Sequence, residues 1–212
     1  MSPPPASRRF RLVDGLMRYY SQETGRGWYW LDLASYLLLS LALAGLLLQA
    51  PVSQQLPIWL AIGAGLIAWS LLEYLLHRYL LHGPPPFLDW HQAHHRRPRA
   101  LLGTPTAISL SLILLLLFLP AWLLLGRWPA SGLLFGIVLG YLNYSWLHQR
   151  LHQPGRPPAW LRRNYQNHGR HHQGREAGFY GVSSVFWDWV FGTRLTPLPS
   201  AQSQTLADRP PA

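Results

Sequence analysis

All ten histidines of this 212-residue chain fall into four tight clusters. They are His77 and His82, then His91, His94 and His95, then His148 and His152, then His168, His171 and His172. Neutral imidazole is a good ligand for iron and zinc, and ten rings are enough to surround two ions. Residues three and four apart share one face of a helix. Both triplets and the His148/His152 pair follow that spacing, so each triplet is expected to aim its rings to one side, at one metal or at two neighbouring ones. His77 and His82 differ. Five residues turn an α-helix through roughly 500°, which leaves the two rings about 140° apart. They are expected to reach different metals, or the helix to end between them before Gly83-Pro84-Pro85-Pro86.

One histidine at a membrane boundary is usually an interfacial residue with no ligand role. Two HxxHH triplets plus two pairs, with no histidine elsewhere, carry the metal reading instead. Structural zinc is tetrahedral and needs only four ligands. Ten imidazoles suit two octahedral or five-coordinate ions with room for an exogenous ligand. Nitrogen-rich ligation without cysteine fits iron, and zinc could occupy the same site. Facing a membrane, such a centre points to O2 activation and attack on an unactivated C–H bond of a lipid. A ligand imidazole is expected to have a partner that orients it. Glu73, one turn before His77, and Tyr144, one turn before His148, are the candidates.

The elements that must position these residues are apolar helices. A spanning helix needs about 20 mainly apolar residues, and four such stretches are expected: Leu31–Gln49, Pro57 to about Leu76, Thr104–Leu125 and Pro129–Leu147. The first carries a single charge, Asp32, at its start. Short links at Ala50–Leu56 and Gly126–Trp128 would make two helical hairpins. A soluble all-α protein is the competing fold, but four such runs are hard to bury in so short a chain. All eighteen basic residues are arginine, and the formal net charge is +10. With a cytoplasmic N-terminus seventeen arginines fall inside and only Arg127 outside, a strong positive-inside bias. Basicity therefore orients a membrane protein and favours anionic headgroups, with no nucleic-acid role. The same topology puts all four clusters, and both termini, on the cytoplasmic side. The absence of cysteine excludes disulfides, iron–sulfur clusters and a thiol nucleophile.

Three regions follow: a cytosolic or interfacial N-terminal segment at 1–30, a membrane domain at 31–195, and a disordered tail at 196–212. Within the first, Ser7–Tyr20 has the spacing of a short helix lying in the membrane interface; a disordered basic tail is the plainer alternative.

The chain resembles the fatty acid hydroxylase superfamily of membrane non-haem di-iron enzymes, which includes sterol desaturases. The matching stretches are Glu73-Tyr-Leu-Leu-His77-Arg-Tyr-Leu-Leu-His82, His91-Gln-Ala-His94-His95, Gly140-Tyr-Leu-Asn-Tyr-Ser-Trp-Leu-His148-Gln-Arg-Leu-His152 and His168-Gly-Arg-His171-His172. The segment Gly178-Phe-Tyr-Gly-Val-Ser-Ser-Val-Phe-Trp187-Asp188 is also similar, which adds Asp188 to Glu73 and Tyr144 as a residue expected beside the ligands. The resemblance implies an all-α, four-span fold capped by a cytosolic dimetal site. It also implies that all ten histidines are ligands to two iron ions, with O2 as co-substrate. No cytochrome b5 domain precedes the spans, so electrons are expected from a separate carrier, cytochrome b5-like or ferredoxin-like. The first motif is most similar to the fatty acid 2-hydroxylase branch, which hydroxylates the carbon next to an acyl carbonyl, commonly in sphingolipids. The expected function is thus hydroxylation of a membrane lipid acyl chain. The alternative within the superfamily is a sterol or carotenoid desaturase or hydroxylase. A metal sensor or non-catalytic relic would be marked by a histidine missing from a cluster, and none is missing. A metal transporter would need its ionisable residues at mid-membrane rather than at one face.

Overall fold

The computed structural model describes residues 25–101, 106–173 and 178–194. The expected interfacial helix at Ser7–Tyr20 and the expected tail from residue 196 lie outside them. Among the described residues there are helices and no strands. In chain order they are α1 (Arg26–Leu47), α2 (Gln55–Leu75), α3 (Phe87–Arg96), α4 (Thr106–Leu125), α5 (Arg127–Leu151), α6 (Arg162–His172) and α7 (Phe186–Val190). A 3-10 turn at Val52–Gln54 leads into α2, and a π turn at Leu76–Leu81 prolongs it. A second π turn, Leu114–Phe118, lies within α4.

The helices Arg26–Leu47, Val52–Leu81, Thr106–Leu125 and Arg127–Leu151 are each long and apolar enough to cross a membrane. They match the four expected spans, with two differences that matter. The second runs through the π turn to Leu81, and the fourth continues to Leu151, so His148 sits inside a helix rather than after one. Leu38, Leu41, Leu116, Leu123 and Leu124 are each more than half exposed. Side chains this apolar at the periphery need a hydrocarbon solvent; four helices of that kind make this a membrane protein.

The centre of the bundle is α5, which packs against α1, α2 and α4. Its contact with α2 is set by glycines. A Cβ on Gly65 would lie 2.3 Å from the Leu133 carbonyl oxygen, and one on Gly136 would lie 2.2 Å from that of Ile62. Any side chain there would push the two backbones apart, and small residues are what allow close helix approach in lipid. The consequence is positional. The ends of α2 and α5 that carry His77 and His148 are held side by side. Trp69, Ile137, Val138 and Tyr141 fill the core around this seam.

Asp32 is not an isolated charge at the start of a span. It is buried, its Oδ1 accepts from the Thr106 hydroxyl at 2.5 Å, and its Oδ2 accepts from the Tyr141 hydroxyl at 2.5 Å. One carboxylate thereby joins α1, α4 and α5, which satisfies an ionisable group that would be costly in hydrocarbon.

Candidate metal centre

Because α3 packs on the π turn and α6 packs on α5, histidines from four stretches of sequence meet at one end of the bundle. One ring nitrogen from each of His77, His82, His91 and His171 lies within 4.8 Å of the others, and the same holds for one from each of His94, His148, His152, His168 and His172. His95 stands between the two groups. Its Nε2 is 3.0 Å from that of His91, and its ring stacks on His172 at 4.1 Å. All ten sequence-predicted residues are therefore brought together.

One expectation about their arrangement is corrected and another is narrowed. His77 and His82 share one group, and the helix does not end between them. The π turn closes the bond from the His82 amide to the His77 carbonyl at 3.2 Å. Its wider ring brings residues five apart to the same side, where an α-helix would splay them. Each triplet reaches two neighbouring groups, the second of the two arrangements that its spacing left open. His171 joins the first group while its neighbours His168 and His172 join the second, and His91 and His94 likewise part. The two groups are close enough for one helix to serve both.

The donor set fits metal ions on three grounds. Where a ring nitrogen meets a backbone carbonyl it must donate, because the oxygen can only accept. His77 Nδ1 lies 2.6 Å from the Tyr180 oxygen and His171 Nδ1 lies 2.9 Å from that of Gly178. Both Nε2 atoms are therefore bare lone pairs, and they point into the first group. In the second group both nitrogens of His94 and of His172 are buried without a hydrogen-bond partner among the described residues, as is His168 Nδ1. Buried polar atoms rarely lack partners, and an ion would supply them. The spacing agrees too. Nε2 atoms face each other at 2.9 Å for His77 and His91, 3.1 Å for His82 and His171, and 2.9 Å for His152 and His168. Metal–nitrogen bonds of about 2.0–2.1 Å put adjacent ligand atoms of an octahedral ion about 3 Å apart.

The electrostatics keep these rings ready to bind. Burial pushes His95 and His152 down to about 4 and His171 to about 3, with neighbouring imidazoles adding to it. Burial also lowers His82, His91, His168 and His172. Near neutral pH the rings are uncharged, which is the form a metal takes.

Sequence reasoning placed Glu73, Tyr144 and Asp188 beside the ligands, and they act differently from one another. Tyr144 lies parallel to the His148 ring at 5.5 Å. Glu73 reaches no imidazole in the hydrogen-bond network. Its Oε1 accepts from the Val182 and Ser183 amides at 2.7 and 2.8 Å, and its Oε2 from the Ser183 hydroxyl. Asp188 accepts from the amides of Tyr180 and Gly181 and from the Thr193 hydroxyl. The two carboxylates thus clamp the strap of residues 178–183, and the strap's own carbonyls orient His77 and His171. Gly181 is required in this clamp, since a Cβ would lie 2.0 Å from the Ser184 oxygen and 2.9 Å from Asp188 Oδ2. Phe179, between the two carbonyls, has φ of +53°, a conformation that costs a non-glycine residue on the order of 1 kcal/mol or more and is typical of functional backbone. The motif reading included this segment but not its role, because a backbone carbonyl has no side-chain signature.

Ten converging histidines at the end of four apolar helices define the class, a helical membrane protein with a two-group metal centre. Comparison then fixes the family. A model of the family described as "Fatty acid hydroxylase" matches residues 62–193, and the chain belongs to that family. It is 34% identical over 180 residues to "Dihydroceramide fatty acyl 2-hydroxylase FAH2" of Arabidopsis thaliana, covering 77% of this chain and 70% of that protein. It is 34% identical over 140 residues to "Ceramide very long chain fatty acid hydroxylase scs7" of Schizosaccharomyces pombe, covering 61% of this chain and 40% of that one. Human "Fatty acid 2-hydroxylase" is 30% identical over 154 residues, 66% of this chain and 41% of the human protein. The chain thus spans about two fifths of the length of the fission yeast and human relatives. In a solved structure of full-length scs7p only the hydroxylase domain is visible. It shares the fold with a TM-score of 0.67 at 22% identity, over 92% of this chain and 72% of that one.

Proposed function

We propose that this protein is an O2-dependent di-iron hydroxylase of membrane lipid acyl chains, acting at the carbon next to the acyl carbonyl, with a sphingolipid-like amide as substrate. The observation that carries this reading is the pair of nitrogen groups, each with inward lone pairs or orphaned ring nitrogens, at the end of a lipid-facing bundle. In this reading all ten histidines are ligands, with His77, His82, His91 and His171 on one ion, His94, His148, His152, His168 and His172 on the other, and His95 completing the first. Two iron ions would supply the redox chemistry that lets O2 attack an unactivated C–H bond; zinc could fill the same positions without it.

The chain's own residues do the rest. The Gly178 and Tyr180 carbonyls hold His171 and His77 in the tautomer that bares Nε2. Glu73 and Asp188 hold those carbonyls. Burial of the rings excludes bulk water from the reacting volume. The apolar flanks of the bundle let a lipid tail approach from the bilayer. The overall reaction consumes O2, two electrons and two protons, and yields the hydroxylated lipid and water. The electrons come from a separate carrier, cytochrome b5-like or ferredoxin-like. The excess of arginine in the segments outside the spans, seventeen of eighteen on one side of the expected topology, supports a cytoplasmic centre and cytoplasmic termini.

The relatives' names favour an acyl chain over the alternative of a sterol or carotenoid. Metal analysis of purified protein, combined with lipid profiles of cells with and without the gene, tests both. Bound iron and gene-dependent 2-hydroxy acyl lipids are expected. An unchanged acyl profile with an altered isoprenoid pool would transfer the assignment to the alternative, and protein without metal would end both.

A further inference from the structure

One line of aromatic rings is used neither by the ligands nor by the strap. Tyr144 is parallel to His148 at 5.5 Å, Trp69 lies 6.1 Å from Tyr144, and Tyr141 lies 5.3 Å from Trp69. The glycine seam builds this line. A Cβ on Gly140 would lie 2.6 Å from the Trp69 ring, so only glycine lets the indole of α2 settle between two tyrosines of α5. At its far end the Tyr141 hydroxyl donates to Asp32 Oδ2 at 2.5 Å. A phenol gives up an electron readily only when its proton can leave at the same moment, and Tyr141 has a carboxylate in place to take it. Trp69 is the opposite case. Its indole Nε1 is buried with no hydrogen-bond partner, so no base holds an oxidised indole there and it passes the charge on. Support of the bundle accounts for the hydrogen bonds to Asp32. It does not account for a continuous series of oxidisable rings running from a metal-type centre to a proton acceptor.

We propose that Tyr144, Trp69 and Tyr141 form a relay that draws a one-electron oxidising equivalent away from the histidine centre, with Asp32 as the proton acceptor at its end. The relay rests on the oxygen chemistry proposed above and protects the centre when O2 has reacted and no acyl chain is bound. Trp69 then gives one electron to the O2-derived oxidant across the Tyr144 ring, which bridges the indole and His148 and keeps its own proton, and Tyr141 refills Trp69. The phenolic proton of Tyr141 crosses to Asp32. The centre has gained one electron, Tyr141 is a neutral tyrosyl radical, Asp32 is a carboxylic acid, and no lipid bond has changed.

The test is electron paramagnetic resonance of the iron-loaded full chain, reduced, exposed to O2 without lipid and freeze-quenched. Wild type is expected to give a tyrosyl signal. Tyr141→Phe should abolish it, Trp69→Phe should reduce it at least several-fold, and Asp32→Asn should do the same by removing the proton acceptor. Tyr141→Phe and Trp69→Phe should still hydroxylate ceramide in vesicles, yet inactivate faster during lipid-free exposure to O2. A purely structural role predicts an unchanged signal in all three variants. The relay is overturned if wild type hydroxylates ceramide but forms no organic radical, or if the radical survives Tyr141→Phe undiminished. A wild-type protein that binds iron, forms no radical and leaves both ceramide and O2 untouched would overturn the relay and the proposed function together.

Discussion

The two histidine groups are built on different principles. In the first, His77 and His171 are each tied through Nδ1 to a strap carbonyl, and the strap is clamped by Glu73 and Asp188. In the second, neither nitrogen of His94 or His172 has a hydrogen-bond partner among the described residues, and His168 has none there for Nδ1. Two ligands of the first group, His77 and His171, are oriented by the backbone before any ion arrives, while His91 Nδ1 there has no hydrogen-bond partner among the described residues. In the second group no ring is tied to a backbone carbonyl among the described residues, and His152 and His168 meet only each other through Nε2. Pre-orientation of ligands raises affinity by lowering the ordering cost of binding. In the proposed function, the first group would offer an ion two ligands already oriented, and the second would depend more on the ion itself.

The largest effects should come from removing one ligand of each kind. His171→Ala and His94→Ala are both expected to abolish hydroxylation while the protein still inserts in the membrane. Metal analysis should show His94→Ala retaining the ion of the first group. Equal retention in every ligand variant would erase the distinction between the groups. Chelation should come next. Amide exchange along α6 is expected to quicken once the second group's nitrogens lose their only partner, while the strap at 178–183 stays protected. A strap that opens as fast as α6 would show that the carboxylate clamp does not pre-orient anything.

Smaller effects should follow from the clamp itself. Glu73→Gln keeps one acceptor oxygen but weakens the charge-assisted bonds to Val182 and Ser183, and it should lower metal affinity or turnover roughly 10–100-fold. The loss should be confined to the first ion. Asp188→Asn is expected to act in the same direction.

Acid gives the mildest handle. His95 and His152 are pushed down to about 4 and His171 to about 3, against about 6.5 in an unfolded chain. Between those values the unfolded state binds more protons, so the metal-free protein loses stability as pH falls from about 6.5 towards 4. Thermal midpoints across that range should decline for the metal-free form. A flat profile would mean that the rings are more hydrated than their burial indicates.

Much of this was legible in the residues. Histidine spacing announced a metal centre, apolar run lengths gave the four helices, and the motifs gave the family. Each is a property of neighbours along the chain, and helical periodicity reports such neighbours well. The division of labour was not legible. The 140° that an α-helix imposes between His77 and His82 is cancelled by a π turn, whose i→i+5 bonding leaves no compositional trace. The spacing of each HxxHH triplet left one metal or two neighbouring ones open, and each serves two groups because α3 and α6 lie between them.

Asp32 makes the same point from the membrane side. The sequence shows a charge at the start of a span; only the packing of α4 and α5 against α1 supplies the Thr106 and Tyr141 hydroxyls that make it tolerable there. By itself the sequence singled out the histidines and the end of the helices at which they gather. Tertiary structure alone decided which of them face a common point, and it did so because α2 and α5 touch through glycine backbone. That contact depends on the absence of side chains on two helices at once.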